Sequence, residues 1–191
     1  DEKDLRTRYQ TIFAKEKKSV AAPTASLHFS KRVFESLKDI NIETKEITLD
    51  VGLGTFQEVE EKNIEGKYLH YEKFFISEDT TKEINRYKHD AKKIIAVGTT
   101  TVRALESQAD NIINKEGDIV GETNIFIMPP YTFKIVDHLV TNFHVPQSSL
   151  MALVDAFLQY KKSKKTLLEL YDIAQKEDYK FYSFGDSMLI L

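Results

Sequence analysis

The feature that most constrains the fold is an apolar run that leads directly into a helical pattern. The run KIIAVG ends at Gly98, and its length and branched side chains are typical of a buried strand. In the sixteen residues that start at Gly98, GTTTVRALESQADNII, apolar residues recur on one helical face at Val102, Leu105, Ala109 and Ile112. A strand that turns at once into a helix is a unit of α/β proteins.

Strands and helices alternate along the rest of the chain. Strands are predicted in KEITLDVGLGTF, YLHYEKFFIS, NIFIMPPYTF and KIVDHLVTNF, with two more on either side of Gly185 in YKFYSFGDSMLIL. Helices are predicted in SKRVFESLKDINI, EDTTKEINRYKHDAKK, SSLMALVDAFLQY and KTLLELYDIAQ, with Ser30 and Ser77 as N-caps. The sequence therefore predicts one α/β domain over residues 1–191, a layered mixed sheet with flanking helices.

Composition narrows the functional classes. The chain has 191 residues, 41 % hydrophobic and 30 % charged, with a net charge of −3 and no cysteine. No apolar run approaches the ~20 residues of a membrane helix, and no secretory signal opens the chain, so we expect a cytoplasmic protein. Thiolate metal sites and cysteine nucleophiles are excluded. The basic runs 15–18 and 161–165 are most simply solvated charges.

The segment after Gly98 offers a candidate anion site. Thr99 and Thr100 supply hydroxyls and backbone N–H groups at a helix N-terminus, where the dipole favours negative charge. Arg103 lies one turn further and is suited to holding a carboxylate or a phosphate. Plain N-capping by threonine explains the same pattern without a ligand.

Two histidines stand in loops that suit acid–base chemistry. His28 follows Thr24 in the loop APTASLHFS, and histidine titrates near neutral pH. His144 stands after an apolar strand and before Pro146. Asn142, two residues before it, faces the same side if the strand continues. A histidine that is merely part of the core remains the alternative for each.

Three further polar positions are weaker candidates. His70 and Glu72 share a strand face, but no third metal ligand is evident, so metal binding is not the preferred interpretation. Asp186 follows Gly185 in a turn, where an aspartate usually forms an Asx turn. The Gly-x-Gly of LDVGLGTF lacks the third glycine and the helix of a dinucleotide fingerprint. From these residues alone, the interpretation is an α/β enzyme of unknown reaction.

Six motifs taken together resemble one family. They are RYQTIFAKEKKSVAAPTASLHFS, ITLDVGLGTF, YLHYE, IIAVGTTTVRALES, NIFIMPPYTFKIVDHLVTNFHVPQSSLMALVDAF and YKFYSFGDSMLI. In this order they closely resemble the S-adenosylmethionine:tRNA ribosyltransferase-isomerases of bacterial queuosine synthesis. The resemblance runs from about Arg8 to the last residue. It implies the C-terminal part of a two-domain protein, with the family's small β-barrel largely absent from this chain.

The resemblance also implies a reaction. S-adenosylmethionine donates its ribosyl part, as co-substrate and without a metal or prosthetic group, to 7-aminomethyl-7-deazaguanine at the wobble position of a tRNA. Methionine and adenine leave, and epoxyqueuosine is formed. An ordinary methyltransferase is disfavoured because its glycine-rich first turn is missing. A tRNA-binding fragment without activity of its own is the alternative.

Roles follow from matching this chemistry to the motifs. His28 and His144 are the expected acid–base residues, and Asp186 is expected to receive a ribose hydroxyl or the substrate amine, with Glu72 as a weaker candidate. Anion binding is expected at Thr99, Thr100 and Arg103. A binding segment is expected at Arg8, Tyr9 and Gln10, and further substrate contacts at Thr24 and Asn142.

The chain departs from the family pattern at three positions. Asp50 replaces a usual histidine, Pro130 a usual glycine and His138 a usual small residue. Asp50 argues against an essential base at that position. Because proline fixes φ and removes an N–H, the turn at Pro130 is expected to differ locally.

Overall fold

The computed structural model describes residues 11–12, 23–52, 59–114 and 117–191. Its strands are β1 (Thr48–Asp50), β2 (Tyr68–Ile76), β3 (Ile95–Val97), β4 (Ile119–Ile125), β5 (His138–Asn142) and β6 (Ser187–Ile190). Its helices are α1 (Lys31–Asp39), α2 (Glu61–Gly66), α3 (Glu78–His89), α4 (Thr99–Ser107), α5 (Ala109–Asn114), α6 (Ser149–Tyr160) and α7 (Leu167–Lys176). A 3-10 helix covers Thr24–His28.

The strands form two small sheets. In the first, β2 is central and pairs antiparallel with β1 and β4. In the second, β5 is central, parallel to β3 and antiparallel to β6. The predicted α/β class, with a mixed sheet and flanking helices, is confirmed, and the strands divide between two sheets. Within the described residues, no helix has the length and apolar character needed to cross a bilayer.

The predicted strand–turn–helix unit is β3 followed by α4. Gly98 joins them with φ of +92°, a conformation that a residue with a Cβ adopts only at a cost. Val102 and Ile112 are fully buried, as the helical spacing predicted. The predicted single helix is wrong in its length, because it breaks at Gln108. There the Gln108 N–H donates to the carbonyl of Leu105, three residues back, and this tightens and ends the turn.

The core lies where α4 and α6 pack on the second sheet. Val154 and Phe157 of α6 and Leu139 of β5 have no exposed surface. The ring of Phe133 meets that of Phe157 edge-on, with centroids 4.8 Å apart. Full burial of one such side chain contributes about 1.5–3 kcal/mol. This packing fixes the position of β5, whose end forms part of the site described below.

The predicted strand NIFIMPPYTF is wrong beyond its first residues. β4 ends at Ile125, and the chain then runs irregularly through a cis Pro129–Pro130 peptide bond to β5. Because proline has no N–H to donate to a neighbouring strand, this segment does not pair as a strand. The backbone N–H groups that follow it therefore need other hydrogen-bond acceptors. The buried Glu106 carboxylate supplies them, accepting hydrogen bonds of 2.8–2.9 Å from three consecutive backbone N–H groups, those of residues 134–136.

Smaller differences concern turns and caps. The predicted strand before Gly185 is absent, since the Tyr182 N–H donates to the carbonyl of Phe143 and the chain turns. Helix α2, which sequence reasoning missed, starts with a capping box between Glu60 and Asn63. Ser77 caps α3 as predicted, by accepting from the Thr80 N–H. Ser30 occupies the N-cap of α1 without a side-chain hydrogen bond.

Candidate active site

A cleft opens at the carboxyl ends of the parallel strands β3 and β5. It contains about 750 Å³ of space, including open solvent. Segments far apart in sequence form its walls: residues 23–25, 98–100, 141–145 and 182–183, with Val51, Ser148 and Leu150. Ligands of α/β proteins bind beyond the carboxyl ends of the strands, and this cleft has that position.

Asn142, the last residue of β5, connects three parts of the cleft. Its side chain is buried, and its Oδ1 accepts from the Thr24 hydroxyl at 3.0 Å. Its Nδ2 donates to the backbone carbonyl of Asp186 at 3.3 Å. Because a carbonyl only accepts, this contact fixes the orientation of the amide. The structure thus brings Thr24 and Asn142 together across 118 positions of sequence.

His28 stands at the exposed rim of the cleft beside Asn142. Its Nε2 lies 3.5 Å from Asn142 Nδ2. Since Nδ2 carries only protons, Nε2 of His28 must accept, which places the proton of a neutral ring on Nδ1. The 3-10 helix Thr24–His28 holds both Thr24 and His28 at this position. The loop that the sequence offered as a carrier of acid–base chemistry therefore lies at the cleft.

His144 lies in the wall of the cleft and is half-buried. Its Nε2 is 2.8 Å from the hydroxyl of the fully buried Thr141, and its backbone N–H donates to the Tyr171 hydroxyl at 2.9 Å. Burial lowers the pKa of His144 to about 4, because the charged ring loses its hydration. The imidazole is therefore neutral at neutral pH, and both its ring and its backbone are held in place.

The first turn of α4 forms the opposite wall. Thr99 and Thr100 border the cleft, and their hydroxyls have no hydrogen-bond partner within the described part of the chain. The Thr101 hydroxyl instead donates to the carbonyl of Val97. Two threonines with unused hydroxyls thus stand beside the cleft at the positive end of a nine-residue helix, the kind of position that favours an anion.

Arg103 does not join this site. It is buried against the first sheet, where its Nη1 donates to the Glu72 carboxylate at 2.5 Å and its Nε donates to the Ile125 carbonyl at 3.0 Å. Burial lowers the pKa of Arg103 from its ordinary high value, and Glu72 opposes that shift. Neither residue borders the cleft. Arg103 and Glu72 therefore form an internal ion pair. The guanidinium of Arg103 is engaged within the fold and does not reach a ligand carboxylate in the cleft.

Asp186 lies next to the cleft, but its carboxylate is engaged in a turn. Its Oδ2 accepts from the backbone N–H of Lys180 at 2.7 Å. Its own N–H donates to the Lys180 carbonyl, so the two residues close the turn from both sides. The contribution of Asp186 to the cleft is its carbonyl on Asn142. Arg8, Tyr9 and Gln10 lie outside the described residues.

Sequence reasoning missed four residues at the site. Thr141 and Tyr171 position His144, and Tyr182 and Ser183 line the cleft. The i, i+3 spacing of Thr141 and His144 was a usable signal, since a hydroxyl three residues away at a strand end reaches a histidine ring. Tyr171 lies in another helix, and its role depends on tertiary packing. Among the described residues, no group of three or more His, Asp or Glu is arranged to hold a metal ion.

The fold is that of an α/β protein whose cleft carries hydroxyl, amide and imidazole groups in a mainly apolar lining. Comparison with known proteins gives the family. The model of the queuosine biosynthesis protein family matches residues 2–190, and the chain belongs to that family.

Individual relatives agree with this assignment. The chain is 48 % identical over 186 residues to the S-adenosylmethionine:tRNA ribosyltransferase-isomerase of Fusobacterium nucleatum, covering 96 % of this chain and 51 % of the relative. It is 46 % identical over 191 residues to the protein of the same name from a Sulfurihydrogenibium species, covering 100 % of this chain and 54 % of the relative. The chain thus spans about half the length of the curated relatives it matches.

A solved structure shares the fold. The crystal structure of S-adenosylmethionine tRNA ribosyltransferase from Thermotoga maritima superposes with a TM-score of 0.70 at 38 % sequence identity. The match covers 87 % of this chain and 51 % of that one.

Proposed function

We propose that this chain carries the α/β part of an S-adenosylmethionine:tRNA ribosyltransferase-isomerase, with residues 1–191 as one domain. It would transfer and isomerise the ribosyl moiety of S-adenosylmethionine onto 7-aminomethyl-7-deazaguanine at the wobble position of a tRNA, giving epoxyqueuosine, methionine and adenine. Because tRNA is the substrate, the proposed location is the cytoplasm. The observation that carries the proposal is a cleft lined by His144 and by the threonines of a helix N-terminus, with His28 beside Asn142 of its wall, in a chain of this family.

The carboxylate of the methionine part is assigned to the first turn of α4. Thr99 and Thr100 offer hydroxyls, and the helix N-terminus offers backbone N–H groups with the positive end of the dipole. Arg103 is left out of this assignment because Glu72 and Ile125 already engage its donors. The anion is therefore bound by neutral donors, which leaves the sulfonium as the main positive charge in the cleft.

The two histidines receive different roles. A base must remove a proton beside the sulfonium centre, and it must be neutral to do so. With a pKa of about 4, His144 is neutral across the physiological range, and Thr141 fixes its ring. It is therefore assigned as proton acceptor and not as an imidazolium acid. His28, at the exposed rim, is assigned to the leaving adenine, to which it would donate a proton.

The remaining candidates position the histidines or the tRNA. Asn142 holds His28 at the cleft, and Thr24 and the Asp186 carbonyl hold Asn142. In this arrangement Asp186 supports the site through its backbone. Arg8, Tyr9 and Gln10 remain a proposed binding segment, on the strength of the family resemblance alone.

The test is adenine release by the complete native polypeptide that contains this chain. S-adenosylmethionine is combined with tRNA bearing 7-aminomethyl-7-deazaguanine, and unmodified tRNA of the same sequence is the matched control. We expect adenine release only with the modified tRNA. No release by folded protein that still binds tRNA would overturn the enzyme proposal in favour of a tRNA-binding module.

A further inference from the structure

A positively charged feature lies at the other end of the second sheet from the cleft. Two turns at that end carry six lysines, which we call the lysine surface: Lys92, Lys93, Lys161, Lys162, Lys164 and Lys165. Helix α6 connects the two places, since its N-cap Ser148 borders the cleft and Lys161 follows its last residue. Twelve helical residues at about 1.5 Å each separate the lysine surface from the cleft by about 18 Å.

Asp137 fixes two turns of the chain next to each other. The ammonium of Lys93, just before β3, lies 3.4 Å from its Oδ1. The ammonium of Lys161, just after α6, donates to its backbone carbonyl at 3.1 Å. The Oδ2 of Asp137 also accepts a hydrogen bond from the Ile94 N–H at 3.0 Å, which holds the carboxylate at the start of β3. Asp137 therefore holds one lysine of each turn, Lys93 and Lys161, and brings the two turns together.

The outermost lysines of this surface make no close ion pair among the described residues, although Glu169 is near enough to feel the charge of Lys165. Lys162, Lys164 and Lys165 are exposed, and within the described ranges no carboxylate lies at ion-pair distance from them. Glu169, four residues beyond Lys165, accepts from the Thr166 N–H and hydroxyl and so caps α7. Since the whole chain has a net charge of −3, the positive field is local to this turn.

Neutralising the C-terminal dipole of α6 is the simpler explanation for lysines at this position. That effect falls off within the last helical turn, so Lys161 suffices for it. Lys162, Lys164 and Lys165 come after the helix, where the dipole gives them little stabilisation. Four lysines in five residues, three of them exposed and without an ion pair, also repel one another unless a polyanion binds.

We propose that the lysine surface binds the sugar–phosphate backbone of the tRNA, about 18 Å from the nucleotide that occupies the cleft. This inference rests on the proposed function, because it takes its partner from that reaction. A tRNA whose wobble nucleotide enters the cleft continues well beyond it, with a phosphate at every nucleotide. Lysine contacts with those phosphates give affinity and orientation without sequence readout. The cleft would then select the modified base, and the lysine surface would hold the stem.

The test compares two triple variants with equal loss of charge. Lys162→Gln, Lys164→Gln and Lys165→Gln remove the exposed part of the lysine surface. The control variant carries Lys62→Gln, Lys67→Gln and Lys82→Gln, three exposed lysines on α2 and α3 and between α2 and β2. In the complete native polypeptide, the first variant should raise KM for tRNA about tenfold or more at ~0.1 M salt with kcat unchanged, and lower the salt slope of binding by about one per lysine. The control variant should keep the KM and slope of the unmodified protein.

Equal KM values and equal salt slopes for the two variants would overturn the lysine surface while leaving the enzyme proposal intact. If the unmodified protein releases no adenine, the enzyme proposal fails, and anisotropy with labelled tRNA still compares the two variants. Polyglutamate serves as the second probe. Equal loss of polyglutamate and tRNA binding in the first variant would mark a general polyanion patch and contradict a tRNA site.

Discussion

The two halves of helix α4 differ in a way that separates binding from structure. Thr99 and Thr100 in its first turn and Arg103 and Glu106 further along are all buried. The threonines border the cleft, and their hydroxyls make no hydrogen bond among the described residues. Arg103 and Glu106 each make several hydrogen bonds, to the first sheet and to the segment before β5.

Whether a buried polar group serves the fold or a ligand depends on where its hydrogen bonds go. A buried group whose hydrogen bonds are all made within the chain stabilises the fold, because breaking any one bond leaves a partner unsatisfied. A polar group that borders a cleft with open hydrogen-bonding capacity is ready for a ligand. The same helix carries both kinds within two turns, so position on a helix N-terminus alone does not identify the ligand-binding residues.

The largest expected effect is on the structural half of α4. Arg103→Met should reduce the free energy of unfolding by about 3–5 kcal/mol, because it leaves the Glu72 carboxylate buried without its partner. Urea unfolding at neutral pH measures this loss.

The control for Arg103→Met is the double variant Glu72→Gln with Arg103→Met, which removes the uncompensated charge. It should recover a large part of the loss. If Arg103→Met loses less than about 1 kcal/mol, the Arg103–Glu72 pair does not hold α4 against β2. The distinction between the two halves of α4 would then be weaker.

The next effect is a loss of stability at acid pH, caused by protonation of His144 in the wall of the cleft. The pKa of His144 is about 4 in the folded state and 6.5 for an ordinary histidine, so the unfolded chain binds the proton more readily between these values. The contribution of His144 to stability is therefore complete above about pH 6.5 and is lost as pH falls toward 4, up to about 3 kcal/mol. Unfolding free energies at pH 7 and pH 5 measure the slope.

His144→Gln serves as the reference for that slope. Glutamine keeps a polar group near Thr141 but takes up no proton in this range. The variant should lose less stability than the unmodified chain between pH 7 and pH 5. Parallel pH profiles for the two proteins would mean that His144 titrates alike in folded and unfolded chains.

The smallest effect is expected in the first turn of α4. Thr100→Val removes one neutral hydroxyl and should raise KM for S-adenosylmethionine by about fivefold, which corresponds to ~1 kcal/mol for one hydrogen bond. Thr101→Val is the matched control, because the Thr101 hydroxyl donates to the Val97 carbonyl. The control should affect stability and leave KM unchanged. An unchanged KM in Thr100→Val would remove that hydroxyl from the anion site.

Much of the fold could be predicted from local patterns. The spacing of Val102, Leu105 and Ile112 identified a helix and its buried face, and the apolar run before Gly98 identified β3. The segment around Pro129 was mistaken for a strand because its apolar residues resemble one. Its true partners are on Glu106, in a helix about 30 residues earlier, and local sequence contains no signal for such a contact.

The site could be predicted only in part, for a similar reason. Asn142, His144, Thr99 and Thr100 were proposed because they end strands or start helices, and His28 because it stands in a loop; the structure places all five at or beside the cleft. Arg103 met the same local criterion, yet its environment depends on Glu72, 31 residues away on another sheet. Tyr171 and Tyr182 were missed because only the packed chain brings them to residues 143 and 144.

The proposal that the cleft is the catalytic site is tested most directly by the turnover of His144→Gln in the complete native polypeptide. Adenine release is compared with that of His89→Gln, which changes an exposed histidine at the end of α3 that does not line the cleft. Loss of the proton acceptor should lower kcat of His144→Gln by about 10²-fold or more, with tRNA binding retained and His89→Gln unaffected. Equal turnover by the two variants would contradict the assignment of the cleft as the catalytic site.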